Sequence, residues 1–155
     1  DLIILLGFMT GGVARGISVG IAVTLVSLLF TDFSVHNPLI VLLVALLTSC
    51  LFALAGLINA IFANSFDDIT IIPTFVLTPL TYLGGIFYSI KLLPEFWQQV
   101  SLGNPILYMV NSFRYGFRGS SDIDLLTAII VILFFIAVLF TVCLTLLSRG
   151  TGIRQ

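Results

Sequence analysis

Asn64, Asp67 and Asp68 are the side chains in this sequence best suited to chemistry. They put an amide and two carboxylates within five residues, a donor set that a magnesium ion can share with substrate phosphates. Such a site would want a second acidic cluster, and the only other close acidic pair, Asp122 and Asp124, is expected on the opposite side of the membrane. His36 is the only histidine, so it lacks the partners for a metal site, and it is the only base available to activate a serine. No G-x-x-x-x-G-K-[ST] phosphate loop occurs, which excludes ATP hydrolysis by that route. Cys50 and Cys143 both fall in apolar runs, where they act as small hydrophobes and make no disulfide framework. These residues argue against an enzyme, with an intramembrane enzyme acting on lipid diphosphates as the alternative.

The elements that carry these side chains explain why so few are ionisable. Only 8% of the chain is charged and 59% is hydrophobic, and the charges sit between four stretches, 16–31, 38–66, 69–90 and 125–148, that hold no Asp, Glu, Lys, Arg or His. At 1.5 Å per residue, ~20 apolar residues cross the ~30 Å hydrocarbon layer, where a charge at a helix centre costs roughly 3 kcal/mol. The expected fold is therefore all-α and polytopic, with four transmembrane spans at about 12–31, 38–64, 70–90 and 124–148 in a single unit over 1–155. Arg15 is expected at the edge of the first span, with its guanidinium reaching the headgroups. A soluble fold is excluded because 155 residues offer too little polar surface to cover so much apolar material. A net charge of −1 gives no electrostatic case for nucleic acid. The first residues, Asp1-Leu2-Ile3-Ile4, suggest a piece of a longer protein.

Within the spans, Gly12, Gly16 and Gly20 fall four apart and share a helix face that lets another backbone approach closely. Asn37-Pro38 opens the second span as a cap followed by Pro at the first helical position. Ala53, Gly56, Ala60 and Asn64 form another small-residue face, and Asn59 needs a hydrogen-bond partner. Pro73 and Pro79 each remove a backbone donor, so the third span should kink before it reaches Gly84-Gly85.

The region 91–124 is too polar to span and too apolar for a solvated loop. Leu93-Pro94-Glu95 and Asn104-Pro105 both read as helix starts, and Gly103 separates the two helices. On the second helix, Ile106, Val110, Phe113 and Phe117 share one face while Asn111, Arg114 and Arg118 share another. With Trp97, Tyr108 and Tyr115 nearby, 94–118 is expected to form a helical hairpin that is re-entrant or interfacial. Ser121-x-x-Asp124 has the spacing of a capping box for the last span. Four spans put both ends on one side with Arg15, Arg149 and Arg154, against Lys91, Arg114 and Arg118 on the other, so the charge count does not orient the chain.

The blocks Pro79-Leu80-Thr81-Tyr82-Leu83-Gly84-Gly85-Ile86-Phe87-Tyr88, Leu93-Pro94-Glu95-Phe96-Trp97, Asn104-Pro105-Ile106-Leu107-Tyr108 and Phe113-Arg114-Tyr115-Gly116, in this order, resemble bacterial type-2 ABC transporter permeases. The resemblance covers essentially the whole chain. It implies spans three to six of a six-span, non-catalytic permease subunit in the bacterial inner membrane. It also implies a permease homodimer working with two copies of a separate ABC ATPase. ATP and magnesium would be bound by that partner, with no cofactor in this chain, and the complex would act as an exporter. On this reading Pro73, Pro79, Gly84 and Gly85 are the candidate pathway or gating residues. Asn104, Pro105 and Arg114 form the candidate re-entrant plug on the extracytoplasmic side, and Gly12, Gly16 and Gly20 form the candidate packing face. Asp67, Asp68 and the tail 149–155 are the candidate ATPase contacts. A non-transporting membrane scaffold is the further alternative.

Overall fold

A computed structural model describes residues 2–30, 35–63 and 65–149. Its described elements are helical: α1 (Leu2–Ser27), α2 (Pro38–Phe62), α3 (Phe66–Ile72), a π-helical turn (Pro73–Leu77), α4 (Thr78–Leu83), a 3-10 turn (Ile90–Leu92), α5 (Glu95–Leu102), α6 (Pro105–Arg118) and α7 (Leu125–Ser148). Among the described residues, α1, α2 and α7 are each long and apolar enough to cross a membrane.

α2 and α7 pack side by side and run in the same direction. Leu51 of α2 shares a core cluster with Ala128 and Ile132, and Leu54 and Leu57 share another with Cys143 and Leu147. α1 closes the second cluster with Leu5, and α6 completes the first with Leu107 and Met109. Outside these seams the surface is greasy: Ile3, Val23, Leu39, Leu126 and Phe134 are all exposed. A helix that buries a narrow seam and leaves apolar side chains on the rest of its circumference is solvated by lipid.

Two elements depart from the expected boundaries. The helix carrying the span expected over 12–31 runs Leu2–Ser27, and Thr31 lies outside the described residues. Arg15 is therefore inside the helix and not at its edge, because the apolar run before it continues the helix without a break. Gly12 packs on Ala53 and Gly16 on Ser49, which sets Arg15 level with the middle of α2. The span expected over 70–90 is not one helix. It is helical from Phe66 to Leu83, about 27 Å long, and passes through the π turn on the way. It stops there because Gly84 ends α4 and Gly85 takes a left-handed φ of 71°, a conformation that only glycine adopts at little cost.

The caps are local and specific. Asn37 accepts from the Ile40 N–H at 3.3 Å, and Ser65 and Asp68 form a reciprocal capping box at the start of α3. Asp124 caps α7 by accepting from the Thr127 N–H at 3.1 Å. Ser121, expected to open that box, instead donates to the Ile123 carbonyl. α6 lies along α2 with Gly116 against Val41, and its last turn holds the start of α2 through Asn37 N–H to Gly116 O (2.8 Å) and His36 N–H to Phe117 O (3.2 Å).

Candidate functional site at a broken helix

Pro73 has no N–H, so the carbonyl it would have served four residues back, that of Ile69, needs another donor. Asn59 of α2 supplies it: its side-chain amide donates to Ile69 O at 2.9 Å. The helix then widens through the π turn from Pro73 to Leu77, and Pro79 sits in the first turn of α4. Both prolines are exposed. π turns inside helices recur at functional sites, which makes this span the place to look.

At the far end of the span the ladder breaks again. The Gly84 N–H bonds to Thr81 O (3.2 Å), which leaves Leu80 O without its usual helical donor. Asn104 fills the gap, donating from its side-chain amide to Leu80 O at 2.6 Å while its Oδ1 accepts from the Ile106 N–H at 3.0 Å. Asn104 thus caps α6 and closes α4 with one side chain, and it is buried. Gly84 lies so close to α6 that a Cβ there would sit 2.7 Å from Ile106 Cγ2.

Arg114 completes the junction from the middle of α6. One guanidinium nitrogen donates to Gly85 O at 2.7 Å, and another donates to Asp122 Oδ2 at 3.0 Å. The Ser89 hydroxyl donates to the same carboxylate oxygen at 2.8 Å, and the Asp122 N–H donates to Asn111 Oδ1 at 2.9 Å. Lys91 adds a looser ion pair at 3.9 Å from an exposed position, where such pairs contribute little. Asp122 and Arg114 together thus gather the turn after α4, the start of the 3-10 turn, α6 and the approach to α7.

The expected polar face of α6 is divided: Asn111 is buried along with Leu107, Tyr108 and Met109, Arg114 is half-buried and Arg118 is exposed, while Phe113 on the other face is half-buried. Tyr108 donates to Leu102 O at 2.7 Å across the hairpin, and burial pushes its phenol above the usual range, so it stays neutral.

The structure thus brings Gly84 and Gly85 together with Asn104, Pro105 and Arg114, while Pro73 lies earlier in the same span and Pro79 directly precedes Leu80, whose carbonyl Asn104 holds. Gly12 and Gly16 meet α2, so closely that a Cβ at Gly12 would sit only 2.5 Å from Ala53 Cβ, but Gly20 and Gly56 have nothing within 4 Å. A groove of about 810 Å³ between α1 and α2, lined by Arg15, Thr48, Ser49 and Phe113 among others, lies apart from this junction. Asp67 and Asp68 follow the end of α2, whereas Asp122 and Asp124 precede α7, which runs parallel to it, so the two acidic pairs sit at opposite ends of the bundle. No group of three or more His, Cys, Asp or Glu placed to hold a metal ion occurs among the described residues. Asn64 and 150–155 lie outside the described residues, and Arg149 ends α7.

Sequence reasoning weighed Asp122 only as part of a second acidic pair, set aside as too remote to complete a metal site, and missed its partnership with Arg114. The signal for it was the arginine itself, since a guanidinium in apolar surroundings needs an acid, and Asp122 is eight residues on. Chemically, the cluster spends its charges on one another and on backbone carbonyls, which suits holding or releasing a helix.

A family model described as ABC-2 type transporter matches residues 2–117. The chain is 54% identical over 153 residues to the inner membrane transport permease YadH of Escherichia coli K12, covering 99% of this chain and 60% of that protein. It is 28% identical over 103 residues to nodulation protein J of Rhizobium leguminosarum bv. viciae, covering 66% of this chain and 40% of that one. The chain thus spans about 60% of the length of its YadH relatives. No solved structure matches.

Proposed function

Because the chain belongs to the ABC-2 type transporter family, we propose that it forms part of the membrane permease of an ATP-driven exporter in a bacterial inner membrane. The observation that carries this reading is the 54% identity to a transport permease over 99% of the chain. The junction of the broken span with the hairpin supports it, because it offers an irregular span tied to its neighbours by a few side-chain hydrogen bonds. On this proposal the permease works as a homodimer with two copies of a separate ABC ATPase, which binds ATP and magnesium. Pro73, Pro79, Gly84 and Gly85 give the third span its bend along the substrate pathway. Asn104, Pro105 and Arg114 seat the hairpin as the plug at the extracytoplasmic end. Asp67, Asp68 and the tail from Arg149 face the ATPase.

Purification of the tagged protein from its own membrane tests this. An ATPase with a phosphate loop should co-purify, and its turnover in proteoliposomes should change when the permease is present. If no ATPase associates and the chain alone hydrolyses a lipid diphosphate with magnesium, the permease reading is overturned in favour of an enzyme.

A further inference from the structure

The broken span is held at two of its faults by a side-chain amide from a different element. In an α-helix the carbonyl of residue i accepts from the N–H of i+4. Ile69 O is denied that donor because residue 73 is proline, and Leu80 O is denied it because the Gly84 N–H turns to Thr81 O. Asn59 and Asn104 donate to these two carbonyls, at 2.9 and 2.6 Å. A carbonyl left unpaired away from water costs about as much as a lost hydrogen bond, so each vacancy selects for a donor.

We infer that Asn59 and Asn104 are paired positioning residues whose amides replace two of the backbone donors missing from the broken span, those of Ile69 O and Leu80 O, and tie it to α2 at one fault and to α6 at the other. The span is then steadied at these points by its neighbours more than by its own ladder. A shift of α2 or of the hairpin is passed to it through these bonds. This goes beyond the permease reading and stands on the geometry whether or not the chain transports.

The pairing of Asn59 with Pro73 makes the inference testable by rescue. Hydrogen exchange is followed by mass spectrometry on the protein in lipid nanodiscs, for wild type, Asn59→Ala, Pro73→Ala and the double variant. Asn59→Ala should speed exchange of the amides over 69–77 about fivefold, the loss of one ordinary hydrogen bond. In the Pro73→Ala background, where residue 73 again has an N–H for Ile69, the same change should alter exchange less than about twofold. Asn59→Leu, which keeps the side chain's size, adds no charge and loses the donor, should give the same loosening as Asn59→Ala and so separate loss of the bond from poor packing.

At the other fault, Asn104→Ser still caps α6 but is too short to reach Leu80. It should speed exchange over 81–85 and spare 106–110, whereas Asn104→Ala should loosen both. Equal effects of Asn59→Ala with and without Pro73, no effect of either asparagine change, or equal loosening of α6 by Ser and Ala at position 104 would overturn the inference.

Discussion

The Arg114–Asp122 pair offers the sharpest quantitative prediction. The side chains are 23% and 17% exposed, so both charges are largely withdrawn from solvent, and each has further polar partners in Gly85 O and the Ser89 hydroxyl. Asp122→Leu leaves the guanidinium covered with only a carbonyl to bond, and Arg114→Met leaves the carboxylate with Ser89 and the distant Lys91 amine. Removing one partner of a buried pair costs about 3–5 kcal/mol, and the residual exposure here points to about 3 kcal/mol for each single change. Removing both strands neither charge, so the double variant should cost less than the two singles together, with a coupling of about 2 kcal/mol. Equilibrium unfolding in mixed micelles can be followed by the fluorescence of Trp97, the only tryptophan, which lies on the neighbouring α5. Additivity within about 0.5 kcal/mol would refute the pair as the element that joins the hairpin to α7.

Three further outcomes follow from the same geometry. On the proposed permease reading, Gly84→Leu and Gly85→Leu in the full-length protein should impair efflux while leaving folded protein in the membrane, the first by collision with Ile106 and the second by strain at its φ of 71°. Gly84→Ala alone should destabilise by about 1–3 kcal/mol through overpacking, and wild-type efflux in both leucine variants would remove the proposed gating role. Gly16→Leu should weaken the α1–α2 seam, because its side chain enters Ser49, whereas Gly20→Leu should be tolerated; cysteine crosslinking between the two helices reads the difference. Asp124→Ala should destabilise by about 1 kcal/mol as the true cap of α7, and Ser121→Ala by less, measured by the same unfolding assay.

What the sequence made legible is the part that depends on local composition. Charge-free runs mark the helices of the bundle, Asn37-Pro38 and Asn104-Pro105 mark two helix starts, and Pro73 with Gly84-Gly85 marks a span that cannot be regular. What it hid depends on how helices meet. A Gly12-Gly16-Gly20 stripe predicts a face, but helices that cross diverge, and Gly20 already lies beyond the contact. Arg15 looked like a boundary because charge usually ends a span, yet the helix continues through it.

The same division explains the junction. Pro73 announces an orphan carbonyl at Ile69, and Asn59 announces an amide in need of an acceptor, but nothing in the order of residues says that the two will meet. Packing of α3 beside the end of α2 decides that. Arg114 and Asp122 are a further case, two charges on either side of a turn in a region too apolar for solvent, each pairing with the nearest opposite charge that the fold supplies. In so apolar a chain, every polar side chain away from the surface has few candidate partners. Its presence is a constraint on topology, and Asp122 is the example: it meets Ser89 ahead of the hairpin and Asn111 and Arg114 on α6, just before α7 begins.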